Sequence, residues 1–140
     1  MILLIFLFQT SSNSFPLSNQ FFDNTALVIA NYLHETKNLE VVLESFKPKD
    51  GYIYSPLCQH LTDMLQASFV DARKRYSKKK RPKITTYYRD GLPVLRGNIR
   101  ERKGIYELTL TLWQNQEKVK AWTGYFRLQE SLERLRHKKE

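Results

Sequence analysis

The sequence predicts an α+β fold: two helices packed on one face of a mixed sheet that ends in an antiparallel meander. Three observations predict it. Two stretches, "TALVIANYL" and "SPLCQHLTDMLQASF", place apolar residues at helical spacing. A strand-like stretch, "NLEVVLESF", lies between them. The second half changes period: "IYELTLTLWQ" and "KVKAWTGYF" alternate at period two around the turn "NQE", so one face is packed and the other wet. With 140 residues the chain suits one domain with one core, placed at residues 21–137.

The chain opens on "MILLIFLFQTSSNSF", an apolar stretch followed by small polar residues. Residues 1–16 are too short an apolar run for a membrane span, which needs about 20 residues, and resemble a secretory signal. No Lys or Arg precedes Ile2 and no A-x-A site follows, so an N-terminal apolar strand is the alternative.

Phe21 to Thr36 is predicted helical, with Asp23 or Asn24 as N-cap and Leu27, Ile29, Ala30 and Leu33 on its apolar face. Asn38 to Phe46 is a strand, ended by the breakers of "KPKDGY". The second helix has Ser55 as N-cap and Pro56 at the first helical position, where the missing N–H costs nothing. Its core positions are Leu57, Leu61, Met64, Leu65 and Phe69. "KITTYYR" and "LPVLRGNIRER" are strands, the second alternating Leu95, Gly97 and Ile99 with Arg96, Asn98 and Arg100. In the meander Tyr106, Leu108, Leu110 and Leu112 share a face, as do Val119, Ala121, Thr123 and Tyr125. "QESLERLRHKKE" closes as a short amphipathic helix.

The dipeptide Ser45-Phe46 ending a strand, the helix positions Leu57, Leu61 and Leu65, and the strand "VLRGNI" with Gly97 and Ile99 together form a pattern. Over about Ala26 to Phe126 it resembles the small envelope domain of the flagellar assembly lipoprotein FlgO, the penicillin-binding-protein activator LpoB and the curli secretion protein CsgG. The resemblance implies a bacterial periplasmic or outer-membrane-associated module that binds and assembles proteins. Members of that group commonly carry a lipidated cysteine after the signal; here no cysteine precedes Cys58.

The sequence shows no catalytic constellation, so a non-enzyme without cofactor or metal is expected. The single cysteine rules out an intramolecular disulfide and a C-x-x-C site. Cys58 and His60 are two residues apart, about 200° around a helix, and point apart. Cys58 is expected as a small buried hydrophobe. His34 and His137 stand alone. Glu40 and Glu44 share a strand face but lie roughly 13 Å apart, too far for a two-carboxylate site.

The net charge of +9 and pI near 9.7 favour anionic partners. The charge is densest in "RKRYSKKKRPK", where Arg73, Lys74, Arg75, Lys78, Lys79, Lys80, Arg81 and Lys83 are the candidate contacts to an anionic partner. The run falls in a helix-to-strand connection, where charge is ordinarily solvated. The expected function is therefore a non-catalytic envelope binding or assembly module with a protein partner, and with an anionic polymer or lipid surface as a further contact. The alternative is a basic nucleic-acid-binding module in the cytoplasm, using this run, Tyr76, Tyr87 and Tyr88, and the charges on or near the sheet, Arg89, Arg96, Arg100, Arg102 and Lys103.

Overall fold

Two helices cross one face of a six-stranded mixed sheet in the computed structural model, which describes residues 15–49 and 55–136. The signal-like stretch lies, up to residue 14, outside the described residues, as does His137. In chain order the elements are helix α1 (Ser18–Glu35), strands β1 (Glu40–Leu43) and β2 (Lys47–Pro48), helix α2 (Ser55–Ala72), and strands β3 (Lys83–Thr85), β4 (Val94–Arg102), β5 (Ile105–Gln114) and β6 (Glu117–Arg127). The spatial order is β3-β1-β4-β5-β6, with β2 also beside β4. β1 runs parallel to both β3 and β4, whereas β4, β5 and β6 form the expected antiparallel meander.

α1 starts at Ser18, upstream of the expected Asp23 or Asn24 cap. Leu17, at the cap position, offers no side-chain acceptor. The acceptor comes instead from the segment after β6: Gln129 Oε1 takes the Asn19 amide at 3.1 Å, while the buried Ser18 hydroxyl exchanges hydrogen bonds with Gln129. Both helices bury a face of large apolar residues, Phe22, Ile29 and Leu33 from α1 and Leu57, Leu61, Leu65 and Phe69 from α2. Burying each such side chain contributes about 1.5–3 kcal/mol over leaving it exposed.

The expected strand Asn38 to Phe46 is shorter and does not alternate: Val41, Val42 and Leu43 are all buried. Ser45-Phe46 breaks it. The register passes from Leu43 opposite Leu95 to Lys47 opposite Asn98, so Glu44, Ser45 and Phe46 stand against only Arg96 and Gly97. The bulge turns Phe46 inward. Its amide donates to Thr62 Oγ1 at 2.8 Å, and its ring fills the space over Gly97, where an added Cβ would come within 2.4 Å of Phe46 Cδ1.

β3 is likewise shorter than expected, leaving Tyr87 and Tyr88 exposed. β4 and β5 bury Leu95 and Ile99, and Tyr106, Leu108, Leu110 and Leu112, on the expected face. The hairpins turn at Lys103-Gly104 and Asn115-Gln116, all four with positive φ, as two-residue turns require. In β6, Ala121, Thr123 and Tyr125 face away from the helices, and an irregularity between the partners of Leu112 and Trp113 displaces Val119. The closing segment is not an α-helix: Glu130–Leu135 forms 3-10 turns that bury Leu132 and pack Leu135 against the core.

Gly97→Ala is expected to cost about 1–3 kcal/mol in denaturant melts, the usual penalty of overpacking. Phe46→Leu should recover part of the loss in the double variant. Additive effects of the two changes would show that ring and glycine are not coupled.

Candidate binding surfaces

The basic connection is not one uniform patch. It winds into two single 3-10 turns, Arg73–Arg75 and Lys78–Lys80. Arg73 Nε donates to the Pro82 carbonyl at 2.7 Å, and Arg81 Nε and Nη2 donate to the Tyr76 carbonyl at 3.1 and 3.0 Å. These two guanidiniums close the connection on itself. Tyr76 stacks on His34 with ring centroids 4.1 Å apart, and His34 Nδ1 lies 3.0 Å from the Lys80 carbonyl oxygen, which ties the run to the end of α1. The other candidates, Lys74, Arg75, Lys78, Lys79, Lys80 and Lys83, are exposed, with Lys74 near Asp71 at 3.4 Å. That exposed pair contributes little.

The sheet face opposite the helices carries the second concentration of charge, and here three of the four candidate arginines have an acid beside them, while Arg102 is exposed without an ion-pair partner among the described residues. Arg96 Nε meets Glu44 at 3.0 Å and its guanidinium lies over the Trp113 ring, 5.1 Å from the centroid. Arg100 meets Glu107 at 2.8 Å, and Arg89 pairs with Glu40. The Tyr125 hydroxyl donates to the second Glu107 oxygen at 3.0 Å, a hydrogen bond that raises the phenol's pKa. Trp113 Nε1 donates to Thr111 Oγ1, and the Thr109 and Thr123 hydroxyls are 3.5 Å apart. Sequence reasoning found these arginines but not their partners. Glu44 comes from the bulge after β1, Arg96 from β4 and Trp113 from β5, and they meet only once the register is known.

The third feature was missed. Between α1 and β6 runs an apolar groove of about 230 Å³, lined by Pro16, Phe21, Val28, Ile29, Trp122 and Gly124. Gly124 makes the room: an added Cβ would lie 2.5 Å from the Phe21 ring. The signal available was a glycine inside an otherwise regular strand, which marks a close approach.

Cys58 is 2 % exposed in the core, and burial pushes its thiol up to about 11. His60, two residues on, is exposed, so the two stand apart. Burial likewise pushes the Tyr106 phenol up to about 12, against the opposing pull of Arg136. Among the described residues no three His, Cys, Asp or Glu side chains gather as a metal site, and no helix is long and apolar enough to cross a membrane. No family model, curated protein or solved structure matches the chain.

The two halves of the basic run are expected to respond differently. Replacing Lys78, Lys79 and Lys80 together by Gln should leave the melting temperature within about 2 °C, since exposed charges carry little stability. Arg73→Ala with Arg81→Ala should open the connection, seen as faster limited proteolysis between Arg73 and Lys83. Equal proteolysis of the two variants would contradict this division.

Cys58 carries a pH dependence. The fold favours the neutral thiol, so its contribution is full below the unfolded thiol's pKa, about 8.5, and is lost as pH rises toward 11. Melts should show stability falling through that window, and Cys58→Ala should reduce the fall. Alkylation by iodoacetamide at pH 8 should be at least tenfold slower in the folded chain than in urea.

Proposed function

We propose that the chain is a non-catalytic binding or assembly module of the bacterial cell envelope, similar to the FlgO-, LpoB- and CsgG-type domains. The observation that carries the protein-binding part is the pairing of three of the four candidate arginines of the open sheet face with acids, Arg102 being the exception among the described residues. Arg89, Arg96 and Arg100 each stand against a carboxylate, Glu40, Glu44 and Glu107. A surface meant for phosphates keeps its cations unneutralised so that they can displace counterions. A balanced mosaic of ion pairs, threonines, Trp113 and Tyr125 suits a protein partner instead, where aromatics and arginine supply the binding energy and paired charges supply specificity. Placement in the envelope rests on the resemblance and on the apolar opening stretch.

A second reading has its own support. The exposed lysines of the basic connection keep a strongly cationic site outside the balanced face, and Tyr87, 78 % exposed, follows β3 closely. A nucleic-acid strand could use both.

Fractionation of the tagged full-length protein separates the two readings. Recovery with the envelope together with a protein partner is expected. Recovery in the cytoplasm, released by nuclease, would reject the envelope module and support nucleic-acid binding. In a salt titration the basic connection should bind mixed single-stranded DNA, duplex DNA and an acidic non-nucleic polymer alike, each weakening steeply with salt. Sequence-selective binding that survives physiological salt would count for the second reading.

A further inference from the structure

We infer that the outer edge of β6, with the apolar groove beside it, docks one extended segment of a partner protein that carries alternating apolar side chains and a carboxylate. The inference rests on the protein-binding reading above and names the partner's chemistry.

β6 is the longest strand of the sheet and forms its edge. Among the described residues, the only backbone beyond it is the approach of Phe15 to Leu17. Leu17 pairs in parallel with Arg127, the Arg127 amide donates to the Pro16 carbonyl at 2.9 Å, and Arg127 Nε donates to the Phe15 carbonyl at 3.2 Å. This end of the edge is thus already occupied by the chain's own backbone, paired as an added strand would be, and Phe15 reaches the Tyr125 ring, with centroids 5.8 Å apart. It also fixes the direction of the remaining groups. Arg127 turns its amide outward, and the ladder to β5 is regular back to Ala121. At period two, Tyr125, Thr123 and Ala121 therefore turn their amides and carbonyls outward too. They form a template for a strand added from another chain.

Side chains define what that strand must carry. Every second residue of an added strand would stand over the groove, beside Trp122, Gly124 and Val28, the last 52 % exposed. That position calls for apolar side chains. β6 holds Lys118, Lys120 and Arg127 against one acid, Glu117. Arg127 is engaged with Phe15, while Lys120 Nζ hangs over the Tyr32 and Trp122 rings at 5.7 and 6.0 Å, at the mouth of the groove. A carboxylate on the incoming strand would meet Lys118 or Lys120. A second copy of this chain fits poorly, because it would offer the same cationic strand.

The test uses the full-length chain and a fluorescein-labelled octapeptide alternating valine and threonine, with glutamate at both ends. The control peptide has lysine at both ends. Anisotropy should show the glutamate peptide binding at least tenfold tighter, and amide exchange at Ala121, Thr123 and Tyr125 should slow when it is bound. Thr123→Pro removes an outward amide while sparing the ladder to β5, as proline on an edge strand allows. It should weaken binding at least tenfold with an unchanged circular dichroism spectrum. Lys118→Glu with Lys120→Glu should reverse the preference toward the lysine peptide, and this pair decides the matter if the proline variant does not fold. Equal affinity for the two peptides would overturn the inference. So would exchange at those three amides that is already slow in the free chain, because the edge would then be covered by the protein's own residues. Fractionation of the wild-type protein judges envelope placement separately, so failure at the edge and failure of the envelope reading are told apart.

Discussion

Phe46 reaches the core because Gly97 has no side chain, and the elements of the first half are aligned around that contact. The Phe46 amide is held by Thr62 Oγ1, which in turn donates to the Cys58 carbonyl at 2.8 Å, and Ser45 Oγ donates to Gln59 at 2.9 Å. The dipeptide is therefore fastened to α2 by hydrogen bonds and to β4 by packing. A residue with a Cβ at position 97 would push the ring out and with it the bulge that lets β1 and β2 both pair with β4. The bulge also brings Glu44 to Arg96, so the ion pair on the open face is a consequence of the same packing. Core and surface are linked by one residue of extra strand.

A glycine under an aromatic ring recurs at the other side of the same face, and there the outcome differs. Phe21 closes over Gly124 while stacking on Phe126 at 4.7 Å, but the space alongside stays open as the groove. At Gly97 the neighbouring elements are α2 and the bulge, which supply hydrogen bonds and close the site. At Gly124 the neighbour is the edge of the sheet, where no further strand continues past Pro16 and Leu17 among the described residues. The same device makes a packed core in the middle of a sheet and a binding groove at its margin.

Periodicity carried most of the fold. The α+β class, the two helices and the antiparallel meander follow from spacing alone, since one wet face forces alternation and one buried stripe forces helical spacing. The misplaced parts share a cause: their partners are distant in sequence. The start of α1 is capped by Gln129, which lies beyond β6, so local cap residues pointed to the wrong place. Val42 is buried beside Thr85 and Val94, partners distant in sequence, which no local alternation records. The candidate surfaces divide in the same way. The density of Lys and Arg at 73–83 is visible in sequence, but that Arg73 and Arg81 serve backbone carbonyls is a matter of how the connection folds. The groove depends on which ring lies over Gly124.

The basic residues thus fall into groups with different physical meanings. Some guanidiniums replace missing secondary structure by binding carbonyls, and being held there they are poor ligands for an outside anion. Others are balanced by carboxylates on the open face, where they confer geometry rather than attraction at a distance. The lysines of the basic connection and of β6 are among the exposed cations left for long-range attraction, which fades beyond about 8–10 Å at ordinary salt. These two groups sit at opposite margins, because the connection leads into β3 and the sheet order puts β3 and β6 at its two ends. An anionic contact at one edge therefore leaves the other edge and its groove clear, and the same chain has room to be held at one margin while it holds a partner strand at the other.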